Sequence, residues 1–73
     1  MVYTEVQDME CDGEAISNFV TLDDAKASCT SNSDCRGIHD AYQDVGVYFT
    51  CDRLVFKSGE TAFQKGNLYL EGH

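Results

Sequence analysis

The chain has 73 residues, of which 42% are hydrophobic, and a formal net charge of −8 at pH 7. This length predicts a single domain, residues 1–73, whose core alone would stabilise the fold only marginally. Seven of the 13 acidic residues precede Lys26, which is the first basic residue. Such a negative field repels phosphate backbones and anionic lipids, which excludes nucleic-acid and membrane-surface roles. We interpret the acidic segment mainly as a solvated surface that keeps a small protein soluble.

Four cysteines, at positions 11, 29, 35 and 51, indicate how so small a domain would be stabilised. An even number of cysteines in a short chain favours disulfides, and no pair has the short spacing of about two to four residues that zinc sites usually contain. Of the three pairings we favour Cys29–Cys35, which would close a short loop at a helix end, together with Cys11–Cys51. Disulfides imply a secreted protein, so we expect that a signal peptide is absent from this chain and that Met1 is an expression start.

The first predicted elements are a strand, a loop and a helix. Residues 2–6 alternate as in a half-buried strand, and the polar residues 9–14 are predicted to form a loop around Cys11. Thr21 is expected to be the helix N-cap, with Asp24 in the position of a capping box, and residues 31–34 to end the helix. Three residues share the helix face that we expect to be buried: Leu22, Ala25 and Cys29.

The remainder of the chain has the pattern of a β-sheet. Strands are expected at 37–42, 47–51, 54–56 and 68–70, the last pairing with the first strand, with turns at 43–46 and 57–60 and an ambiguous short segment at 62–63. Within 47–51 the odd positions point one way and the even positions the other. The sequence therefore predicts an α+β fold, in which one central helix packs on a curved antiparallel sheet that two disulfides staple.

Residues 22–56 resemble a PAN/apple-type module. The resemblance is carried by the helix 22–29, the five-residue gap between Cys29 and Cys35, Arg36-Gly37-Ile38 and the aromatic strand 47–51. It implies a helix that is stapled to the following turn, in a non-enzymatic extracellular module that contacts proteins or carbohydrates. Such modules commonly carry a further helix cysteine where this chain has Ala25, and this departure is why we assign Cys51 to Cys11.

Catalytic and metal-binding residues are scarce in this sequence. His39 with Asp40 and Asp44 could form a His–carboxylate pair or a weak metal corner, but a partly exposed strand histidine without a mechanistic role is the simpler interpretation. The alternating acids at positions 8, 10, 12 and 14 could recruit calcium, although their spacing differs from that of an EF-hand loop. We therefore expect no enzymatic activity, no cofactor and no resident metal.

Aromatic and basic side chains are the better binding candidates, because they suit both sugars and protein hot spots. The alternative is that each tyrosine, including Tyr3 and Tyr69, only packs on the sheet surface. A free sheet edge would also allow homodimerisation. The residues that we expect to bind ligand, on the surface around 36–42 and 48–53, are Arg36, His39, Tyr42, Tyr48 and Arg53.

The sequence thus predicts a secreted, non-enzymatic recognition module that binds an extracellular protein or a glycan. The alternative is a secreted acidic signal, toxin-like or inhibitor peptide that acts on one receptor or enzyme. Neither interpretation involves nucleic acid or insertion into a membrane.

Overall fold

The computed structural model describes residues 2–42 and 46–66, apart from the side chains at 41 and 42. Within these residues one helix packs on a five-stranded antiparallel sheet, which confirms the predicted α+β class. The elements are β1 (Tyr3–Cys11), β2 (Ser17–Phe19), α1 (Leu22–Ser31), β3 (Gly37–Tyr42), β4 (Val47–Cys51) and β5 (Leu54–Lys65). The strand order is β1-β5-β3-β4-β2, so β1 and β2 form the two edges.

Helix α1 begins as its sequence predicts. Thr21 has extended backbone, and its Oγ1 accepts a hydrogen bond of 3.1 Å from the Asp24 N–H, which confirms it as the N-cap. Ala25 and Cys29 are completely buried, and Leu22 packs against them from a half-buried position. The predicted buried face is therefore confirmed, and the rest of the core cluster consists of Cys35 and Ile38.

The C-terminus of α1 is stabilised by a residue from a distant strand. The last turn contains no basic residue of its own. Instead, the Lys65 Nζ donates hydrogen bonds to the carbonyl of Cys29 at 2.7 Å and to that of Asn32 at 3.0 Å. These bonds satisfy carbonyl groups at the helix end and place a positive charge at the negative end of the helix dipole.

Strand β1 is longer than the sequence indicates. The predicted loop at 9–14 is wrong for its first half, because Met9, Glu10 and Cys11 pair with Phe56, Val55 and Leu54 of β5. The register shifts between Gln7 and Met9, where Asp8 has a φ of 61°. Because of this irregularity, the polar segment around Asp8 can bend while β1 remains paired with β5 on both sides of the bend.

The predicted turn at 57–60 does not end a strand, since β5 continues from Leu54 to Lys65 and includes the ambiguous 62–63. Gly59 has a φ of 88°, which a glycine adopts without strain, and its N–H donates to the Asp8 Oδ1 at 2.9 Å. The β1–β5 ribbon therefore bends at Asp8 and Gly59 without separating.

Beyond the bend, the ribbon consists of residues 9–11 of β1 and 54–56 of β5. This part of the ribbon covers the sheet face opposite α1. In β3 the side chain of Ile38 belongs to the core cluster beneath helix α1. Because side chains alternate along a strand, the neighbouring positions Gly37 and His39 lie on the opposite face of the sheet. On that face the Leu54 side chain lies against Gly37, and the Cys11–Cys51 disulfide joins the end of β1 to β4 with a Cα–Cα distance of 5.7 Å. The sheet is thus covered by the helix on one side and by its own bent ribbon on the other.

Strand β4 consequently buries side chains on both faces. Thr50 and Cys51 are almost completely buried. Tyr48 packs against the core cluster, so the even positions of β4 face the layer that contains helix α1. The short strand β2, which the sequence did not indicate, pairs with β4 at the sheet edge. Of the remaining predictions, the strand at 68–70 and most of the turn at 43–46 lie outside the described residues.

Candidate ligand-binding groove

Two of the five predicted binding residues, Arg36 and Arg53, lie together at one end of the sheet. Arg36 directly precedes β3, and Arg53 lies in the connection between β4 and β5. An open groove with a volume of about 380 Å³ lies between them, within the range of known small-ligand sites. It is lined by Met9, Arg36, Asp52, Arg53, Leu54 and Gln64.

The two predicted disulfides hold the walls of this groove. Cys11–Cys51 lies beside it, because Met9 precedes Cys11 by two residues and Arg53 follows Cys51 by two. Cys29–Cys35, with a Cα–Cα distance of 5.1 Å, fixes the residue immediately before Arg36 to the end of the helix. Both favoured pairings are therefore confirmed in the structure, and each carries one arginine close behind a buried cysteine.

Arg36 has a fixed backbone and an exposed side chain. Its N–H donates to the carbonyl of Cys51 at 2.8 Å, and its own carbonyl accepts from the N–H of Lys65 at 2.9 Å. Among the described residues no carboxylate forms an ion pair with Arg36. The backbone is thus held between two strands while the guanidinium group remains available at the groove.

Arg53 takes part in a weak surface ion pair. Its Nε lies 3.3 Å from the Asp12 Oδ2, and both side chains are largely exposed. A pair of this kind contributes at most about 1 kcal/mol, because solvent screens it. The backbone contact is firmer, since the Asp12 N–H donates to the Arg53 carbonyl at 2.9 Å. Asp12 therefore positions Arg53 but competes only weakly with a ligand for its guanidinium group.

The apolar part of the groove comes from the bent ribbon. Leu54 packs against Gly37 and presents its half-buried side chain to the groove, and the half-buried Met9 lies on the neighbouring strand. Sequence reasoning missed Met9, Leu54 and Gln64 as lining residues, because only the fold of the ribbon brings them beside the arginines. The signal in the sequence for the arginines was that each of them follows a cysteine by one or two residues.

His39 lies apart from this groove. The expectation of a partly exposed histidine is wrong, because His39 is only 8% exposed on the face that the ribbon covers. Its Nε2 lies 2.7 Å from the Glu60 Oε1. Among the described residues Glu60 is thus its carboxylate partner. Asp40 alternates to the other face of β3, and Asp44 lies outside the described residues.

Asp40 is an electrostatically costly residue on the helix side of the sheet. Its Oδ1 is buried and has no hydrogen-bond partner among the residues that the structure describes. Desolvation raises the pKa of this carboxyl group above its usual value, and the negative Glu60 adds to the rise, while His39 opposes it. The charged form of Asp40 therefore destabilises the fold.

The predicted tyrosines do not contribute to the groove in the described part of the chain. Tyr48 packs against the core cluster, and the Tyr3 hydroxyl donates to the carbonyl of Lys26 at 3.0 Å. The side chain of Tyr42 and the whole of Tyr69 lie outside the described residues. These contacts correspond to the packing alternative for Tyr3 and Tyr48.

The acidic residues of the N-terminal third are dispersed over the fold. Asp8 accepts the hydrogen bond from Gly59, and Asp12 pairs with Arg53. Within residues 2–42 and 46–66 no group of three or more histidine, cysteine or acidic residues has an arrangement that could hold a metal ion.

Comparison with known proteins identifies no relative: no protein-family model, no curated protein and no solved structure matches this chain. No helix in the described residues is both long and apolar enough to cross a membrane.

Proposed function

We propose that the chain is a secreted, non-enzymatic recognition module of the PAN/apple type that binds a protein or carbohydrate ligand. The observation that carries this proposal is the groove between Arg36 and Arg53, whose walls are held by both disulfides. A preformed groove with an apolar floor and a few polar groups is the usual form of a binding site. Two disulfides in so small a domain are consistent with an extracellular location.

The scaffold supports recognition because it fixes the binding groups before a ligand arrives. Arg36 and Arg53 extend from backbone that is hydrogen-bonded to neighbouring segments, so binding would order little more than their side chains. A preorganised site loses less conformational entropy on binding, which favours affinity for a given area.

The test is a binding screen with the oxidised protein against arrays of purified extracellular proteins and of glycans. We expect a saturable ligand whose binding is lost in Arg36→Gln and weakened in Arg53→Gln. Lys57→Gln is the matched control, since Lys57 carries the same charge on an exposed residue outside the groove. Wild-type protein that binds nothing on either array, or equal losses in all three variants, would contradict the proposal.

A further inference from the structure

The groove combines two features that together define a class of ligand. It is lined by two arginines in a chain whose net charge is −8, and Leu54 and Met9 add an aliphatic surface to the same groove. Of the remaining lining residues, Asp52 and Gln64 can hydrogen-bond to polar groups at the rim. A ligand that joins an anionic group to an apolar group could therefore bind the arginines with the first and pack on Leu54 and Met9 with the second.

We propose that the groove binds a carboxylate side chain, from glutamate or aspartate, of an extracellular protein, with an adjacent apolar side chain packed on Leu54 and Met9. This inference rests on the proposed function and specifies its ligand. The planar fork of an arginine matches the two oxygens of a carboxylate, and such charge-assisted bonds are among the strongest hydrogen bonds in proteins.

Both arginines have donors available for this purpose. Arg36 is exposed and forms no ion pair with the described residues. Arg53 contacts Asp12 through Nε, whereas a guanidinium group carries four further N–H donors on its two Nη atoms. A ligand carboxylate can therefore bind the fork of Arg36, and Arg53 retains donors for a further contact with the ligand.

The lining favours a peptide over a sugar. Sugar rings pack their C–H faces on aromatic side chains, and none of the residues that line the groove is aromatic. Aliphatic Leu54 and the flexible Met9 suit side chains of varied shape, which is a common property of peptide-binding surfaces.

The charge of the whole chain limits the ligand to an isolated carboxylate. Asp52 lines the groove and Asp12 contacts Arg53, and the Debye length at physiological salt is about 8 Å. A single carboxylate that contacts an arginine of the groove is attracted at short range, whereas a run of acidic groups also meets these aspartates and the acidic remainder of the chain. The groove should therefore discriminate against polyanions.

The experiment is an NMR titration of the oxidised, ¹⁵N-labelled protein with two acetylated and amidated tripeptides, Leu-Glu-Leu and Leu-Gln-Leu. We expect the glutamate peptide to shift the Nε–H signals of Arg36 and Arg53 and the amide signal of Gly37. Loss of a charge-assisted hydrogen bond should make the glutamine peptide bind about tenfold more weakly. Arg36→Gln should weaken binding of the glutamate peptide to a similar degree, and Lys57→Gln should leave it unchanged.

Several outcomes would overturn the inference. Equal binding of the two peptides, an equal loss in Lys57→Gln, or no shift at millimolar peptide would each exclude a carboxylate site in the groove. A uronic-acid disaccharide that shifts the groove signals when the glutamate peptide does not would assign the groove to a glycan. Tighter binding of Glu-Glu-Glu than of Leu-Glu-Leu would contradict the role of Leu54 and Met9.

The variants and the array screen keep these outcomes interpretable. The ¹⁵N spectra show directly whether Arg36→Gln and Lys57→Gln retain the fold, and Arg36→Lys, which keeps the charge without the fork, should bind with intermediate affinity. If the arrays yield a ligand but the peptides fail, the carboxylate inference is wrong and the recognition module stands. If the arrays yield nothing, the proposed function itself fails.

Discussion

Replacement of Gly37 by alanine tests whether the bent ribbon packs on the sheet. A Cβ atom at this position would lie 2.7 Å from both the Cγ and the Cδ1 of Leu54, whereas carbon atoms in contact are normally about 3.5–4.0 Å apart. Leu54 would have to move by about 1 Å, and overpacking of this kind costs about 1–3 kcal/mol. The lower entropy of the unfolded alanine variant returns about 0.4–1 kcal/mol.

We therefore expect Gly37→Ala to lower the free energy of unfolding by about 1–2 kcal/mol, or roughly 4–16 °C in Tm. The measurement is thermal and guanidinium unfolding of the oxidised protein, followed by circular dichroism. In a Leu54→Ala background the new methyl group enters space that Leu54 has left, so the same substitution should be neutral or stabilising. The double-mutant cycle isolates this coupling between Gly37 and Leu54.

Phe56 supplies the control for this cycle, because it lies on the same ribbon but is 73% exposed. Gly37→Ala and Phe56→Ala should have additive effects. A neutral Gly37→Ala in the otherwise unchanged protein, or a penalty that persists in the Leu54→Ala background, would refute the packing of the ribbon over β3.

Three further predictions concern stability. Lys65→Met should cost about 2 kcal/mol in denaturant unfolding, because it removes two charge-assisted bonds at the end of α1, and Lys57→Met should cost nothing measurable. Asp40→Asn should raise Tm at pH 7 and leave it nearly unchanged at pH 3. Because the pKa of Asp40 is raised in the folded protein, the wild type loses stability as pH rises from the unfolded-state pKa through the folded-state pKa, and asparagine avoids this loss. Replacing Cys11 and Cys51 together by alanine should cost about 4 kcal/mol in the chain-entropy model, given their separation of 40 residues.

Each of these predictions has an outcome that contradicts it. Equal effects of Lys65→Met and Lys57→Met would show that the contacts at the helix end contribute no stability. A gain for Asp40→Asn that is the same at pH 3 and pH 7 would exclude charge desolvation as its cause. Unchanged unfolding of the double cysteine variant would mean that the disulfide does not restrict the unfolded chain.

Local signals predicted the helix and the Cys29–Cys35 disulfide well. Thr21 with Asp24 defines the helix start through hydrogen bonds within one turn, and Cys29 and Cys35 are close in sequence, so their approach needs no knowledge of distant segments. Strands β3 and β4 also followed from their own patterns. In these segments the residues that decide the structure lie near one another in the chain.

The ribbon and the groove depend on distant pairings, which the sequence does not display. Polar residues of β1 remain in a strand only because β5 provides partners more than 40 positions away, and the bend requires Asp8 and Gly59 to meet. His39 was expected to be partly exposed for the same reason, since nothing near it in sequence reveals the ribbon that covers it. The arginines were identified as binding residues, but their apolar neighbours were not.

The pairing of β1 with β5 also determines when this protein can fold during its synthesis. Tyr3 lies opposite Lys65, so β1 has no partner in the ribbon until the ribosome has made β5, about 60 residues later. Contacts of such long sequence separation form slowly, because loop closure precedes any gain from them. The Cys29–Cys35 bond joins residues six positions apart, whereas Cys11–Cys51 joins residues 40 positions apart. We therefore expect Cys11–Cys51 to be the later of the two bonds to form.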